Sequence, residues 1–316
     1  MNARRIATAL ASGCVCASFA CGSGGGGSSS SPTDGGAESA SKSDGDVAND
    51  TGTGATDAHG GEPGKDGATG GDTGGSEGSE GGAGNEGGAD GSAPGSATCT
   101  NPAYTLALDP SNPQYGITLS GFYVDTDTWN AANYAVTQTM YVCDYGNWYV
   151  VANMNDDAHD GAVKTYPDVH MDFPSAPAVS SFASIASTFA HAGPHVGIYE
   201  YAYDMWLNGV AASGSTEIMI WTDNFHQVPA GTKMETVTLG GQTYDVYQDG
   251  SYIAFVDETN VTSGTLDLLS FFQHVIAKGW VPSTSTLGAI DYGVELVSTG
   301  GADATFEVNA FTLTTQ

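Results

Sequence analysis

Two glutamates sit where a β-strand has little use for a charge. Glu217 lies in "STEIMIW" (215–221) and Glu295 in "DYGVELVSTGG" (291–301), each among large apolar neighbours. Paired carboxyl groups are the machinery of glycoside hydrolysis. One starts protonated and gives its proton to the leaving oxygen; the other is ionised and attacks the anomeric carbon or directs a water at it. Side chains alternate between the two faces of a strand. Glu217, Met219 and Trp221 therefore share one face, and Ile218 and Ile220 the other. The isoleucines suit a dry space between sheets. The opposite face offers a carboxylate, a thioether and an indole together, which is the lining of a sugar-binding cleft. Glu295 shares its face with Asp291 and Gly293, and Gly293 is expected to leave room for a ligand. A single glutamate of this kind is ordinary; the pair carries the reading.

Strands must position these groups, and the sequence supplies them. Short runs rich in Val, Ile, Tyr, Phe and Thr fall at 116–124, 135–143, 147–154, 197–207, 216–222, 234–240, 242–248, 251–258, 289–298 and 304–315. "LGGQ" (239–242) and "QDGS" (248–251) read as hairpin turns. This spacing predicts an all-β sandwich. One segment breaks the period: Leu268, Leu269, Phe272, Val275 and Ile276 recur at helical spacing. Thr265 is expected to cap that helix, Asp267 to lie in its first turn, and Gly279 to follow its end. A lone helix in such a sandwich is expected on the outside of one sheet.

The motifs together resemble glycoside hydrolase family 12, whose members are retaining endo-β-1,4-glucanases and xyloglucanases. "EIMIW" is similar to that family's nucleophile strand, and "GVELVSTGG" to its acid/base strand. "VKTYPDV" (163–169) resembles its Lys-Ser-Tyr-Pro-Asn stretch, and "AYDMWL" (202–207) the strand whose Asp sits against the nucleophile. The order is right, and the resemblance spans most of 99–316. It implies a β-jelly roll of two antiparallel sheets with a concave substrate cleft. It also implies Glu217 as nucleophile, Glu295 as general acid/base, and Asp204 as the nucleophile's hydrogen-bonding neighbour. Trp129 would stack on a sugar, with Met219 and Trp221 also toward the substrate. The chain departs from the family in "DTDTWN" (125–130), where Asp127 stands in place of an expected amide. That bears on sugar contacts, and so on which β-glucan is preferred.

Composition sets the rest. The formal net charge is −29 with seven Lys and Arg, of which only Lys164, Lys233 and Lys278 lie in 99–316. No basic patch can form, so nucleic acid is an unsuitable partner, while a neutral glycan is compatible. A monomer acting on β-glucan polysaccharide is expected, with no cofactor and no metal. "HAGPH" (191–195) reads as a turn, and "NMNDDAHDG" (153–161) as a polar loop that lacks the closing Glu of an EF-hand. Residues 22–98 are mostly Gly, Ser, Ala, Asp, Glu and Thr with no aromatic residue, and read as a disordered linker spanning about 50 Å end to end. Residues 1–21 resemble a lipoprotein-type signal peptide with Cys21 as the lipidated residue, which would place the protein outside the cell or anchored on its surface. The glycoside hydrolase domain is then 99–316. Cys99 and Cys143 remain after processing, and an even pair in an exported protein predicts one disulfide. The alternative reading is a non-catalytic glycan-binding jelly roll, which would have no need of Glu217 and Glu295.

Overall fold

The computed structural model describes residues 98–316; the leader, Cys21 and the linker up to residue 97 lie outside them. Fifteen strands build two sheets. They are β1 (Tyr104–Ala107), β2 (Gly116–Leu119), β3 (Phe122–Asp125), β4 (Thr137–Asp144), β5 (Asn147–Asn153), β6 (Asp168–Asp172), β7 (Ile185–Ala192) and β8 (Ile198–Leu207). Then follow β9 (Thr216–Phe225), β10 (Thr232–Leu239), β11 (Gln242–Asp249), β12 (Tyr252–Asp257), β13 (Ser263–Asp267), β14 (Leu287–Ser298) and β15 (Ala304–Thr315). The smaller sheet runs β1-β4-β5-β15-β7-β13 and the larger β10-β11-β12-β9-β8-β14-β6-β3-β2. Neighbours are antiparallel with one exception. The meander β10–β11–β12 docks its last strand on β9, and that pair is parallel.

The alternation within β8 shows how the sequence sorts the two faces. Tyr199, Tyr201, Tyr203, Met205 and Leu207 point into the core between the sheets, each 0% exposed. Glu200, Ala202, Asp204 and Trp206 point the other way, in register with the outer face of β9. Ile218 and Ile220 join the core as their spacing predicts, and burying an aliphatic side chain of that size contributes about 1.5–3 kcal/mol. Core tyrosines keep their hydroxyls paired: Tyr203 donates to Ser187 Oγ at 2.9 Å, and Tyr292 lies 2.7 Å from His191 Nδ1. His191 is stacked on Tyr201 at 3.9 Å between ring centroids, so it is a core residue; His195, its partner in "HAGPH", sits in a turn at φ 53°.

The helix α1 (Leu268–Ala277) continues directly from the edge strand β13, and its Phe271 packs edge-on against Tyr244 and Phe255 of the larger sheet. It starts later than its sequence pattern implies: Thr265 pairs within β13 and cannot cap it, and Asp267 stands at the N-cap position rather than in the first turn. Its end is as expected. Gly279 takes φ 72°, its N–H donates to the Ile276 carbonyl, and the Trp280 N–H donates to the Val275 carbonyl, which satisfies two orphan carbonyls. The run 116–124 is two strands rather than one. Ser120 and Gly121, at φ 52° and 90°, fold it into the hairpin of β2 and β3.

Cys99 and Cys143 form a disulfide that ties the start of the described chain to β4. They are 44 residues apart, and closing a loop of that length in the unfolded chain is worth at most about 4 kcal/mol. Reduction is expected to lower stability by about 2–4 kcal/mol, seen as a lower urea midpoint with dithiothreitol present. Unreduced mass spectra showing both thiols free would refute the bond.

Candidate active site

The outer face of the larger sheet forms a cleft, and three central strands supply its acids. Glu217 stands on β9, Asp204 on β8 and Glu295 on β14, with β8 between the other two. Pairing places Glu217 opposite Trp206, Asp204 opposite both Met219 and Asp291, and Glu295 opposite Glu200. Opposed residues share a face, so all of these lie on the cleft side of the sheet, with Met219 and Glu200 buried beneath it. Glu217, Glu295, Asp204 and Asp291 line one cavity there. Both glutamates are half-buried.

Asp204 is the most enclosed of the group at 8% exposure. Trp206 Nε1 donates to its Oδ2 at 3.1 Å, while its Oδ1 accepts no hydrogen bond. Burial, then repulsion from Glu217, Asp291 and Glu295, pushes its carboxyl well above the usual range, and the Trp206 bond only partly opposes this. A carboxyl held neutral beside Glu217 is a proton donor rather than a competing charge. Tyr252 is in register with Glu217 on the neighbouring strand β12. Burial and the charges of Glu295, Glu217, Glu200 and Asp204 push its phenol up. One phenol and one carboxyl thus feel both glutamates, as expected of groups arranged about a common point.

Since Asp204 has a raised folded-state pKa, its contribution to stability is greatest below the unfolded carboxyl value near 4 and is lost as pH rises through the folded value. Asp204→Asn keeps the shape without the ionisation. The variant is expected to gain stability relative to wild type at pH 8 and to lose that advantage at pH 4.5, as urea melts at the two pH values would register. Its hydrolytic rate should fall, and the alkaline limb of its pH profile should shift.

Indoles complete the cavity, but not all of those expected. Trp129 lines it, held by a loop tied on both sides: Thr128 N–H donates to the Pro113 carbonyl at 2.7 Å, Tyr166 N–H to the Asp127 carbonyl at 2.8 Å, and Asn130 Nδ2 to the Val163 carbonyl at 2.7 Å. Asp127 is on the same wall. Met219 and Trp221 do share the face of Glu217, yet they are 1% and 2% exposed. They pack with Ala202 and Ala254 in a closed cluster partly covered by Tyr252 and Val256, and Trp221 Nε1 points to Met219 Sδ at 3.5 Å. They support the floor and do not line the cavity. Trp206 does; it was not singled out in the sequence, although it lies two residues from Asp204 in "YEYAYDMWL" and so shares its face. Tyr166 was likewise unassigned; it lines the cavity and donates to the Ala202 carbonyl at 3.0 Å.

One further reading changes, and one gains a role. A Cβ on Gly293 would lie 2.2 Å from the Pro167 carbonyl oxygen, so this glycine admits the backbone leading into β6, not a ligand. The acidic loop at 153–161 serves Lys164, whose Nζ lies 3.7 Å from Asp156 Oδ1 and 4.4 Å from the Tyr134 ring centroid.

Comparison with known proteins gives the chain's relatives and its family. Over 138 residues the chain is 25% identical to Endoglucanase S of Pectobacterium parmentieri, covering 39% of this chain and 52% of that protein. Over 162 residues it is 27% identical to Xyloglucan-specific endo-beta-1,4-glucanase A of Emericella nidulans, covering 48% and 66%. The matches thus span between half and two thirds of these relatives' length. The fold is that of the xyloglucanase domain of NopAA, a type three effector from Sinorhizobium fredii solved with cellobiose, at TM-score 0.59 and 24% identity over 68% of this chain and 100% of that one. The family model for glycosyl hydrolase family 12 matches residues 120–316, more than half of the chain, and the chain belongs to that family.

Proposed function

We propose that this chain is a retaining endo-β-1,4-glucanase, exported or surface-anchored, that cleaves β-glucan polysaccharides such as cellulose, mixed-linkage glucan or xyloglucan. The observation that carries the reading is the meeting of Glu217 and Glu295 in one cavity, with Asp204 between them and the indoles of Trp129 and Trp206 on its walls. The similar endoglucanase and xyloglucanase support the substrate class.

The assigned chemistry has two steps. Ionised Glu217 attacks the anomeric carbon while Glu295 protonates the departing oxygen; Glu295 then draws a proton from water, which releases the sugar from Glu217. Asp204, whose Oδ2 is held by Trp206, takes the role of the hydrogen-bonding neighbour that aligns the Glu217 carboxylate during the reaction. Trp129 and Trp206 bind pyranose faces by stacking. Asp127 replaces the family's amide on the wall beside Trp129 and alters the hydroxyl pattern accepted there.

Reducing-sugar release from carboxymethyl cellulose, barley β-glucan and tamarind xyloglucan tests the proposal. Activity on at least one is expected. Saturable binding to these glucans without release of reducing ends would make the chain a glycan-binding module instead.

A further inference from the structure

A second group of acids lies beside the catalytic cavity, and the proposed hydrolysis makes no use of it. On β3, β6 and β14, Asp125 is in register with Asp168, and His170 with Asp291. One donor atom from each of Asp125, Asp168 and His170 lies within 4.8 Å of the others. His170 Nδ1 is 2.8 Å from Asp168 Oδ1. Asp125 is 1% exposed, and its Oδ1 has no hydrogen-bond partner. Asp127 Oδ1 and Asp291 Oδ1, on the adjoining cavity wall, are buried without partners as well.

The charge balance of this group is unusual. Buried carboxylates need a proton, a basic side chain or a metal. The described lysines are engaged elsewhere: Lys164 with Asp156, Lys233 with Asp245 and Lys278 with Glu235. His170 alone faces Asp125, Asp168, Asp291 and Asp127.

We propose that Asp125, Asp168 and His170 form a binding site for a divalent transition-metal cation of the Zn²⁺ or Mn²⁺ kind. One imidazole nitrogen with two carboxylate oxygens is a donor set those ions accept, whereas Ca²⁺ takes oxygens alone. Zinc holds such donors at about 2.0–2.2 Å in a tetrahedral array, so neighbouring ligands lie about 3.4 Å apart. The 2.8 Å between His170 Nδ1 and Asp168 Oδ1 is a hydrogen-bond distance, and the pair need open only slightly to take adjacent positions on one ion. Asp125 closes the site from β3 by a small movement. Asp291, opposite His170 on β14, is placed to orient the ring or complete the coordination. The site is separate from Glu217 and Glu295, and a cation there would compensate the acids behind Asp127.

Direct binding tests this without recourse to hydrolysis. The full chain, stripped with chelator and dialysed, is titrated calorimetrically with Zn²⁺ and separately with Ca²⁺. One saturable Zn²⁺ site is expected, weakened at least about tenfold in His170→Asn and in Asp125→Asn, with Ca²⁺ binding far more weakly. Zn²⁺ should also shift the His170 ring resonances in wild type, a reading that stands even if a variant fails to fold. An absent saturable site, Zn²⁺ affinity unchanged in both folded variants, unmoved His170 resonances, or a preference for Ca²⁺ would each overturn the site. The first of these would leave a cluster neutralised by protons and His170 alone.

Discussion

Glu217→Gln is expected to lower kcat on a soluble β-glucan by about 10³-fold or more, a barrier increase of about 4 kcal/mol, with glucan affinity and thermal stability close to wild type. The amide matches the carboxylate in size but has no charge with which to form a glycosyl bond. Glu217 is half-buried at a cavity wall, and Ile218 and Ile220, which anchor its strand in the core, are untouched. Fold and chemistry are therefore separable at this position. Removing an ionised group from beside Asp204 also relieves one of the repulsions on that carboxyl, so the variant should be slightly more stable at alkaline pH. Turnover within about tenfold of wild type, only about 1.4 kcal/mol in barrier, would remove Glu217 as the nucleophile.

What was legible in the sequence and what was not divides along local and long-range physics. Glu217 was legible because strand alternation is local: a charge on one face and isoleucines on the other define a cleft wall without any knowledge of neighbours. The helix end was legible for the same reason, since Gly279 needs only its own φ. The burial of Met219 and Trp221 was not, because it depends on Ala202 from β8 and Ala254 from β12, strands that arrive from before and after β9. Strand β7 escaped notice because "IASTFAHA" mixes small and polar residues; it forms since β15 and β13 pair with it on both sides. The signal for Trp206 was present, since it follows Asp204 by two residues on the same face of β8, but only the register with β9 places it opposite Glu217. The acids around His170 are scattered over β3, β6 and β14 and become a cluster only through their register.

Glu295→Ala separates the two steps of the assigned reaction. Its loss should lower kcat/KM on polysaccharide by about 10³-fold, because the departing sugar oxygen is a poor leaving group without a proton. An aryl β-cellobioside with an acidic phenol needs little help to leave, so its first step should be nearly unaffected, and a glycosyl-Glu217 ester should accumulate as a burst. Azide, which attacks without a general base, should then restore turnover and give the β-glycosyl azide. In Glu217→Ala the same anion would instead enter from the vacated side and give the α-product. These opposite outcomes rest on placement: Glu217 and Glu295 reach the cavity from strands on either side of β8, so each can address a different face of one sugar. The wild-type enzyme should correspondingly release the β-anomer first, which early-time NMR would record. An α-anomer appearing first, or β-azide formed by Glu217→Ala rather than by Glu295→Ala, would reverse or abolish the roles and leave Glu217 as a base acting through water.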